Sequence, residues 1–354
     1  MKGYLVLESG RVFRGKLLND CRVAGGEVVF STAMISYQDI ITDPSYYGQI
    51  VVMTYPLVGN VGFNEKSFAS YNAMVKGLVL REATDFPSHY EMEMDLITFL
   101  NRSEVAVLTE VDTRALTRVI RNEGSMGGVI TDNLNNLEWL QEKARLAGED
   151  LKGDLVKYVS RKNIMKFGNG SKKVVLLDLG TKKGVVDSLV RRGCEVFAVP
   201  ARTTADEILN LHPDGVFISD GPGDPGAVDY VIQTCRELLG KKPLFGIGLG
   251  HQVLAMAMGA DIFRLPFGHR GTNHPVRNLE NGRIYITTQN HGFSIDEDSL
   301  KGLNLTVTMR SINDGSVEGI RNERLPVFSV QFDPEGYPGY SETGFFFDNF
   351  VEML

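Results

Sequence analysis

Pro243 to Met258 reads PLFGIGLGHQVLAMAM, and its two halves carry different rhythms. Pro243 to Ile247 is a run with the character of a buried strand, whereas from His251 to Met258 the apolar residues fall at helical spacing. Gly248, Leu249 and Gly250 stand between them, so the stretch predicts a strand that turns sharply into a helix. In outline this is a G-x-nucleophile-x-G elbow, whose strained central residue presents its side chain at the end of a sheet, backed by a helix amino terminus. The central residue here is Gly248, which tolerates positive φ without steric cost but has no side chain to present. Read alone, a glycine-rich turn of this kind is a weak motif.

Upstream the same alternation repeats. Val174 to Leu179 precedes a helical stretch carrying Val185, Val186, Leu189 and Val190; Glu195 to Val199 precedes Ala205 to Leu211; Gly215 to Ser219 precedes Tyr230 to Leu239. Strands followed by helices in this order predict an α/β domain with a mainly parallel, doubly wound sheet, joined by right-handed crossovers. Ligands in such folds sit beyond the carboxyl ends of the strands, which directs attention to the glycine-rich loops after Ser219 and after Ile247.

From Tyr4 to about Asp132 the pattern is mostly strand-like, in runs such as Glu27 to Phe30, Gln49 to Thr54 and Val75 to Arg81. Helical spacing is expected at Tyr90 to Leu100, and at Thr113 to Glu123 behind the cap Asp112. This first domain is read as mixed α+β. Periodicity weakens between Leu134 and Lys172, so the expected organisation is a first domain over 1–150, a linker over 151–172 and the α/β domain over 173–354.

Composition narrows the function classes. With 354 residues and 43% hydrophobic content the chain can bury two cores, and a net charge of -7 provides no field for a phosphate backbone or an anionic membrane. Neither nucleic acid nor membrane is an expected partner. The start, Met1 to Glu8, lacks a charged lead and a long apolar stretch, and no segment approaches the ~20 apolar residues of a membrane span. The cytoplasm is therefore the expected location. Cys21, Cys194 and Cys235 are odd in number and outside any CxxC spacing, which fits a reducing compartment and small, partly buried hydrophobes. No Asp, Glu and His cluster has metal-ligand spacing, and no G-x-x-x-x-G-K-[ST] phosphate loop is present.

The segment around Gly248 resembles the nucleophile elbow of class I glutamine amidotransferases, which carry a cysteine at the place of Gly248. In that family the base and its orienting acid come from an H-P-E segment; here Ser329 to Glu335 reads SVQFDPE, with Asp333 in the histidine position and Glu335 in the acid position. Further segments carry a narrower resemblance, to the small subunit of carbamoyl-phosphate synthetases. GEVVFSTAMISYQDIITDPSYYGQIVVMTYPLVGNVG (Gly26 to Gly62) and EVDTRALTRVIRNEGSMGGVI (Glu110 to Ile130) look like that subunit's own amino-terminal domain. SDGPGDP (Ser219 to Pro225) resembles its SNGPGDP loop with Asp220 in place of asparagine, FGHRGTNHPV (Phe267 to Val276) its FGHHGGNHPV segment, and TQNHGFSID (Thr288 to Asp296) its glutamine-side loop.

The resemblance implies glutamine contacts at Ser45, Gly221, Gly223, Leu249, Gln252, Asn290, Gly292 and Phe293. It also implies a large synthetase subunit as partner, with ATP, Mg and bicarbonate handled there and no cofactor or metal in this chain. Cleaving the glutamine amide needs a thiolate nucleophile and an imidazole that returns the proton to the leaving ammonia. Gly248 and Asp333 supply neither, so the chain is expected to be a catalytically silent subunit. His251 is nearest to the elbow, but the family carries that histidine beside its catalytic one. Two other readings stay open: a glutamine-binding sensor, and a glutaminase with an unconventional nucleophile or water activated by Asp333 and Glu335. On this reading Gly248→Cys alone does not restore activity, and Gly248→Cys with Asp333→His is the pair to test.

Overall fold

The computed structural model describes residues 1–19, 23–84, 86–336 and 342–354. Two compact units divide the chain, Met1–Gly153 and Asp154–Leu354.

In the first unit the strands are β1 (Lys2–Leu7), β2 (Val12–Leu17), β3 (Val23–Ser31), β4 (Gln49–Met53), β5 (Leu57–Val58), β6 (Gly77–Val79), β7 (Glu82–Ala83), β8 (Ala106–Thr109) and β9 (Met126–Thr131). Its helices are α1 (Tyr37–Thr42), α2 (Leu96–Arg102), α3 (Thr113–Glu123) and α4 (Leu137–Asp150). The strands close into a barrel in the order β1-β2-β8-β6-β4-β3-β9, with β1 paired antiparallel to both β2 and β9. Closure removes the exposed edges that an open sheet must protect. Beside the barrel, Phe63 stacks on Phe99 at 4.2 Å between centroids in a core shared with Val29, Val51 and Leu78.

Helix α3 begins and ends where its spacing predicts, with the Asp112 carboxylate accepting the Ala115 amide at 2.9 Å. The helix expected over Tyr90 to Leu100 starts only at Leu96, because Asp95 caps the amide of Thr98 at 2.8 Å and Met94 is engaged in a bridge with Phe63. Helix α4 lies in the stretch from Leu134 to Lys172 where the sequence periodicity is weak. Leu140 and Ala144 are its only fully buried residues, and Ala144 packs so closely that a Cβ on Gly127 would overlap its carbonyl. Contact through small residues leaves no wide apolar stripe to recognise.

The second unit holds α5 (Val156–Val159), β10 (Met165–Phe167), β11 (Lys172–Asp178), α6 (Lys183–Arg191), β12 (Cys194–Pro200), α7 (Ala205–Asn210), β13 (Gly215–Ile218), α8 (Asp229–Leu238) and β14 (Leu244–Ile247). It continues through α9 (Leu249–Ala257), β15 (Ile262–Asn278), β16 (Ile284–Ile295), β17 (Leu305–Ser311), β18 (Val317–Asn322), β19 (Val327–Val330) and α10 (Phe345–Glu352). One ten-stranded sheet runs β10-β12-β11-β13-β14-β19-β18-β17-β15-β16. Its parallel centre is β12-β11-β13-β14-β19.

Both faces of that centre are covered. Val175, Leu177, Ile218 and Leu244 point into one core with Ile208, Val231 and Val253 of α7, α8 and α9, while Val174, Leu176, Phe217 and Phe245 point into another with Leu189, Phe347 and Phe350 of α6 and α10. Side chains alternate across a strand, so strands buried on both faces read as continuous apolar runs. The stretch 151–172, which sequence reading leaves as a linker, carries α5 and β10 inside the second unit, with β10 paired antiparallel to β12.

Beyond β19 the sheet is antiparallel, and two of the segments with a family resemblance, Phe267 to Val276 and Thr288 to Asp296, fall on its long hairpin β15–β16. Thr288 to Asp296, read as a loop, is mostly strand β16: Asn290 pairs with Arg270 and Phe293 with Arg264. Irregular registers along β15 and β16 break the simple alternation that would have marked a strand. Cys194 and Cys235 are fully buried, and burial pushes the Cys235 thiol up to about 12; Cys21 lies outside the described residues.

Candidate active site

The elbow forms where the strand–helix pattern places it. β14 is fully buried between β13 and β19, and Gly248 follows it at φ 52° and ψ -117° before α9 begins. Its amide donates to Val330 O at 3.1 Å, and its carbonyl accepts from the amides of His251 and Gln252. A side chain at this φ is strained, so glycine is the residue best suited to the backbone and the one least able to react. Gly250 is held for a second reason: a Cβ there would run into the carbonyl of Ile218 as the helix crosses the sheet.

Two neighbouring loops converge on the elbow. After β11, Asp178 accepts from the amides of Gly180 and Thr181 through Oδ1, and from the backbone and guanidinium of Arg161 through Oδ2 at 2.8 Å. That turn delivers Lys182 at the head of α6. After β13, the Ser219 hydroxyl accepts the Leu179 amide at 2.9 Å and donates to Asp220 O at 2.8 Å, tying the two loops together. Asp220 Oδ1 then accepts two backbone amides, Gly221 and Leu249, each at 2.7 Å. A Cβ built on Gly248 would fall inside the Asp220 carboxylate.

The third contribution comes from the turn after β19. Asp333 is anchored by its amide to Thr288 O at 3.0 Å. Lys182 Nζ lies 2.7 Å from Asp333 Oδ2 and 2.6 Å from Glu335 Oε1, and the three side chains are 7%, 6% and 1% exposed. Burying three charges is tolerable only because they face one another. Lys182 is the site residue that sequence reading misses. Its one signal is indirect, since two acids in place of a histidine–acid pair require a cation when buried.

Four of the six histidines fall into two groups in the second unit. His251 is buried, bonds Ser329 Oγ through Nδ1 at 2.8 Å, and is pushed down to about 3 by burial, so it is neutral. His269, His291 and Glu318 meet on the antiparallel half with their ligand atoms within 4.8 Å of one another, a convergence no sequence spacing announces. His269 is held by Asp314 at 2.8 Å and Glu318 at 3.2 Å. Burial opposes its charge, but those carboxylates win and push it up to about 9. Burial holds His291 well below the usual range and His274 down to about 4.

Among the residues implied as glutamine contacts, Gly221 and Leu249 are brought together through Asp220. The Gln252 amide is turned inward, donating to Gln331 Oε1 at 2.9 Å and to Phe293 O at 3.2 Å. Asn290, Gly292 and Phe293 follow along β16, and Gly223 adopts φ 98° beside Leu155. Ser45 belongs to the first unit, buried in a short 3-10 turn where its amide donates to Asp43 Oδ1 at 2.8 Å.

Residues 5–130 match the family model described as carbamoyl-phosphate synthase small chain, CPSase domain, and residues 175–353 match glutamine amidotransferase class-I. A carbamoyl phosphate synthase small chain of Staphylococcus epidermidis is 47% identical over 353 residues, covering 100% of this chain and 96% of the relative. This chain belongs to the carbamoyl-phosphate synthase small-chain family. A small chain from Listeria monocytogenes is 46% identical over 353 residues, covering 100% of this chain and 97% of the relative. A pyrimidine-specific small chain from Halalkalibacterium halodurans is 44% identical over 354 residues, with the same coverages. The elbow and the Asp333 turn both lie within the amidotransferase match of this small chain. Among the described residues, no helix is long and apolar enough to cross a membrane.

Proposed function

We propose that this small chain does not hydrolyse glutamine and serves a large synthetase subunit as a structural or regulatory partner. One observation carries the reading. At the crest of the elbow stands Gly248, and across from it Lys182 clamps the two carboxylates that occupy the places of a base and its orienting acid. Covalent attack on an amide needs an atom that can bond to the carbonyl carbon, and no rearrangement of a glycine supplies one. A proton carrier must take up and release its proton within a turnover, whereas Asp333 is engaged with a buried ammonium.

The large subunit would carry the chemistry with ATP, Mg and bicarbonate and would draw on free ammonia. Pyrimidine or arginine supply is the metabolic setting this implies. The alternative reading, a sensor that holds intact L-glutamine, would draw on Gly221, Gly223, Leu249, Gln252, Asn290, Gly292 and Phe293 of the second unit, with Gly248, Asp333 and Glu335 in the triad positions.

The test is an assay of the co-purified small and large subunits with glutamine or ammonium as nitrogen donor. Carbamoyl phosphate is expected from ammonium and not from glutamine. Ammonia released from glutamine by the unsubstituted complex, and lost on changing Asp333 or Glu335 to alanine, would overturn the proposal in favour of an unconventional glutaminase.

A further inference from the structure

In an acyl-transfer elbow the amide of the residue after the nucleophile, with a second backbone amide from a neighbouring loop, stabilises the oxygen that becomes negative as the carbonyl is attacked. Leu249 follows the crest of this elbow, and its amide and that of Gly221 point at one oxygen, each at 2.7 Å. That oxygen is Asp220 Oδ1. We infer that Asp220 is a built-in occupant of the oxyanion position, a carboxylate of this chain held on the two amides that a glutamine-derived oxygen would otherwise use. The inference rests on the silent reading above and goes further, because it makes the site closed to its substrate and not merely short of a nucleophile.

Three observations support an evolved occupant over a loop residue that happens to lie nearby. Asp220 is buried, with its backbone pinned by Ser219 and the side chain aimed inward at α9. A carboxylate oxygen receiving two amides at the head of a helix has the charge and the donors of the intermediate it replaces. Finally, a Cβ at position 248 would overlap the same carboxylate, so glycine at the crest and aspartate in the hole are sterically coupled.

The coupling changes what reconstruction requires. Gly248→Cys with Asp333→His, the pair that sequence reasoning selects, leaves a negative charge in the hole, against the thiol and against the developing oxyanion. The side chain of Asp220 must go as well.

The experiment compares two variants in the assembled complex, Gly248→Cys/Asp333→His and Asp220→Ala/Gly248→Cys/Asp333→His. Glutaminase activity is expected at least about 100-fold higher in the triple variant, the scale associated with oxyanion-hole donors. A double variant with measurable activity within about threefold of the triple overturns the inference. If neither turns over glutamine, alkylation of the introduced thiol by iodoacetamide decides, followed by mass spectrometry of the peptide carrying position 248. Removing the adjacent carboxylate should raise that rate at least tenfold, since a nearby negative charge suppresses the thiolate; equal rates overturn it. An Asp220→Asn triple variant, which restores the asparagine of the SNGPGDP loop, separates charge from shape, with activity expected at or above that of the alanine triple variant. Failure here is distinct from failure of the functional proposal, which is read on the unsubstituted complex alone.

Discussion

The second unit holds two clusters of charge on the two halves of one sheet, one buried throughout and one with an exposed member, Asp314, and balances them differently. On the parallel half, Lys182 bridges Asp333 and Glu335; on the antiparallel half, His269 bridges Asp314 and Glu318. The Lys182 amino group sits between two carboxylates, whereas the His269 cation exists because its carboxylate neighbours hold it against burial. The carboxylates of the first cluster stand in the turn where the family resemblance places a histidine–acid pair. The second cluster, on strands β15, β16 and β18 of the antiparallel half, carries a histidine that titrates.

The largest effect that would break this comparison is expected from Lys182→Met. It leaves two buried carboxylates facing each other without a cation, and denaturant unfolding should show a loss of about 3–5 kcal/mol. Adding Asp333→Asn and Glu335→Gln should recover most of it. A loss under about 1 kcal/mol in the single variant would mean that the carboxylates do not depend on Lys182.

His269→Gln sharpens the contrast through pH. The folded pKa of His269, about 9, lies above its ordinary 6.5, so its charge contributes fully below about pH 6.5 and that contribution is lost as pH rises through 9. The stability gap between wild type and variant, measured by thermal unfolding, should be on the order of 2 kcal/mol at pH 6 and should shrink toward pH 10. A gap for His269→Gln that widens with pH would reverse the assignment of charge.

Smaller effects are expected at the crest. Gly248→Ala adds strain at positive φ and presses on Asp220, for a cost of about 1–3 kcal/mol, part of which Asp220→Ala in the same chain should relieve. At the low end, Arg145 pairs with Glu142 and Glu149 on the exposed face of α4. Replacing it with alanine should leave the unfolding midpoint unchanged, because exposed pairs gain little over their hydrated state. A marked shift would blur the distinction between buried and exposed charge.

Much of the fold is legible in short windows. Helix α3 shows its cap and spacing, the strand runs of the parallel centre show apolar continuity, and the elbow shows its glycines. What escapes those windows depends on close approach between distant segments. Helix α4 packs through Ala144 against Gly127, and β16 finds its partner only through an irregular register with β15. The site divides the same way: Gly248, Asp333 and Glu335 stand out against a motif, while Lys182 and the inward-turned Gln252 do not.

Residue order alone determines that no sulfur or hydroxyl rises from the elbow at Gly248 and that a carboxyl stands at position 333, since folding can move atoms but cannot add them. Tertiary structure alone decides how those losses are accommodated. Whether Asp333 meets a cation, and whether Asp220 reaches the amides of Gly221 and Leu249, depends on loops from β11, β13, β14 and β19 ending side by side. Coulomb attraction and hydrogen bonding fall off within a few ångströms, so only the packed sheet brings these groups close enough to act on one another.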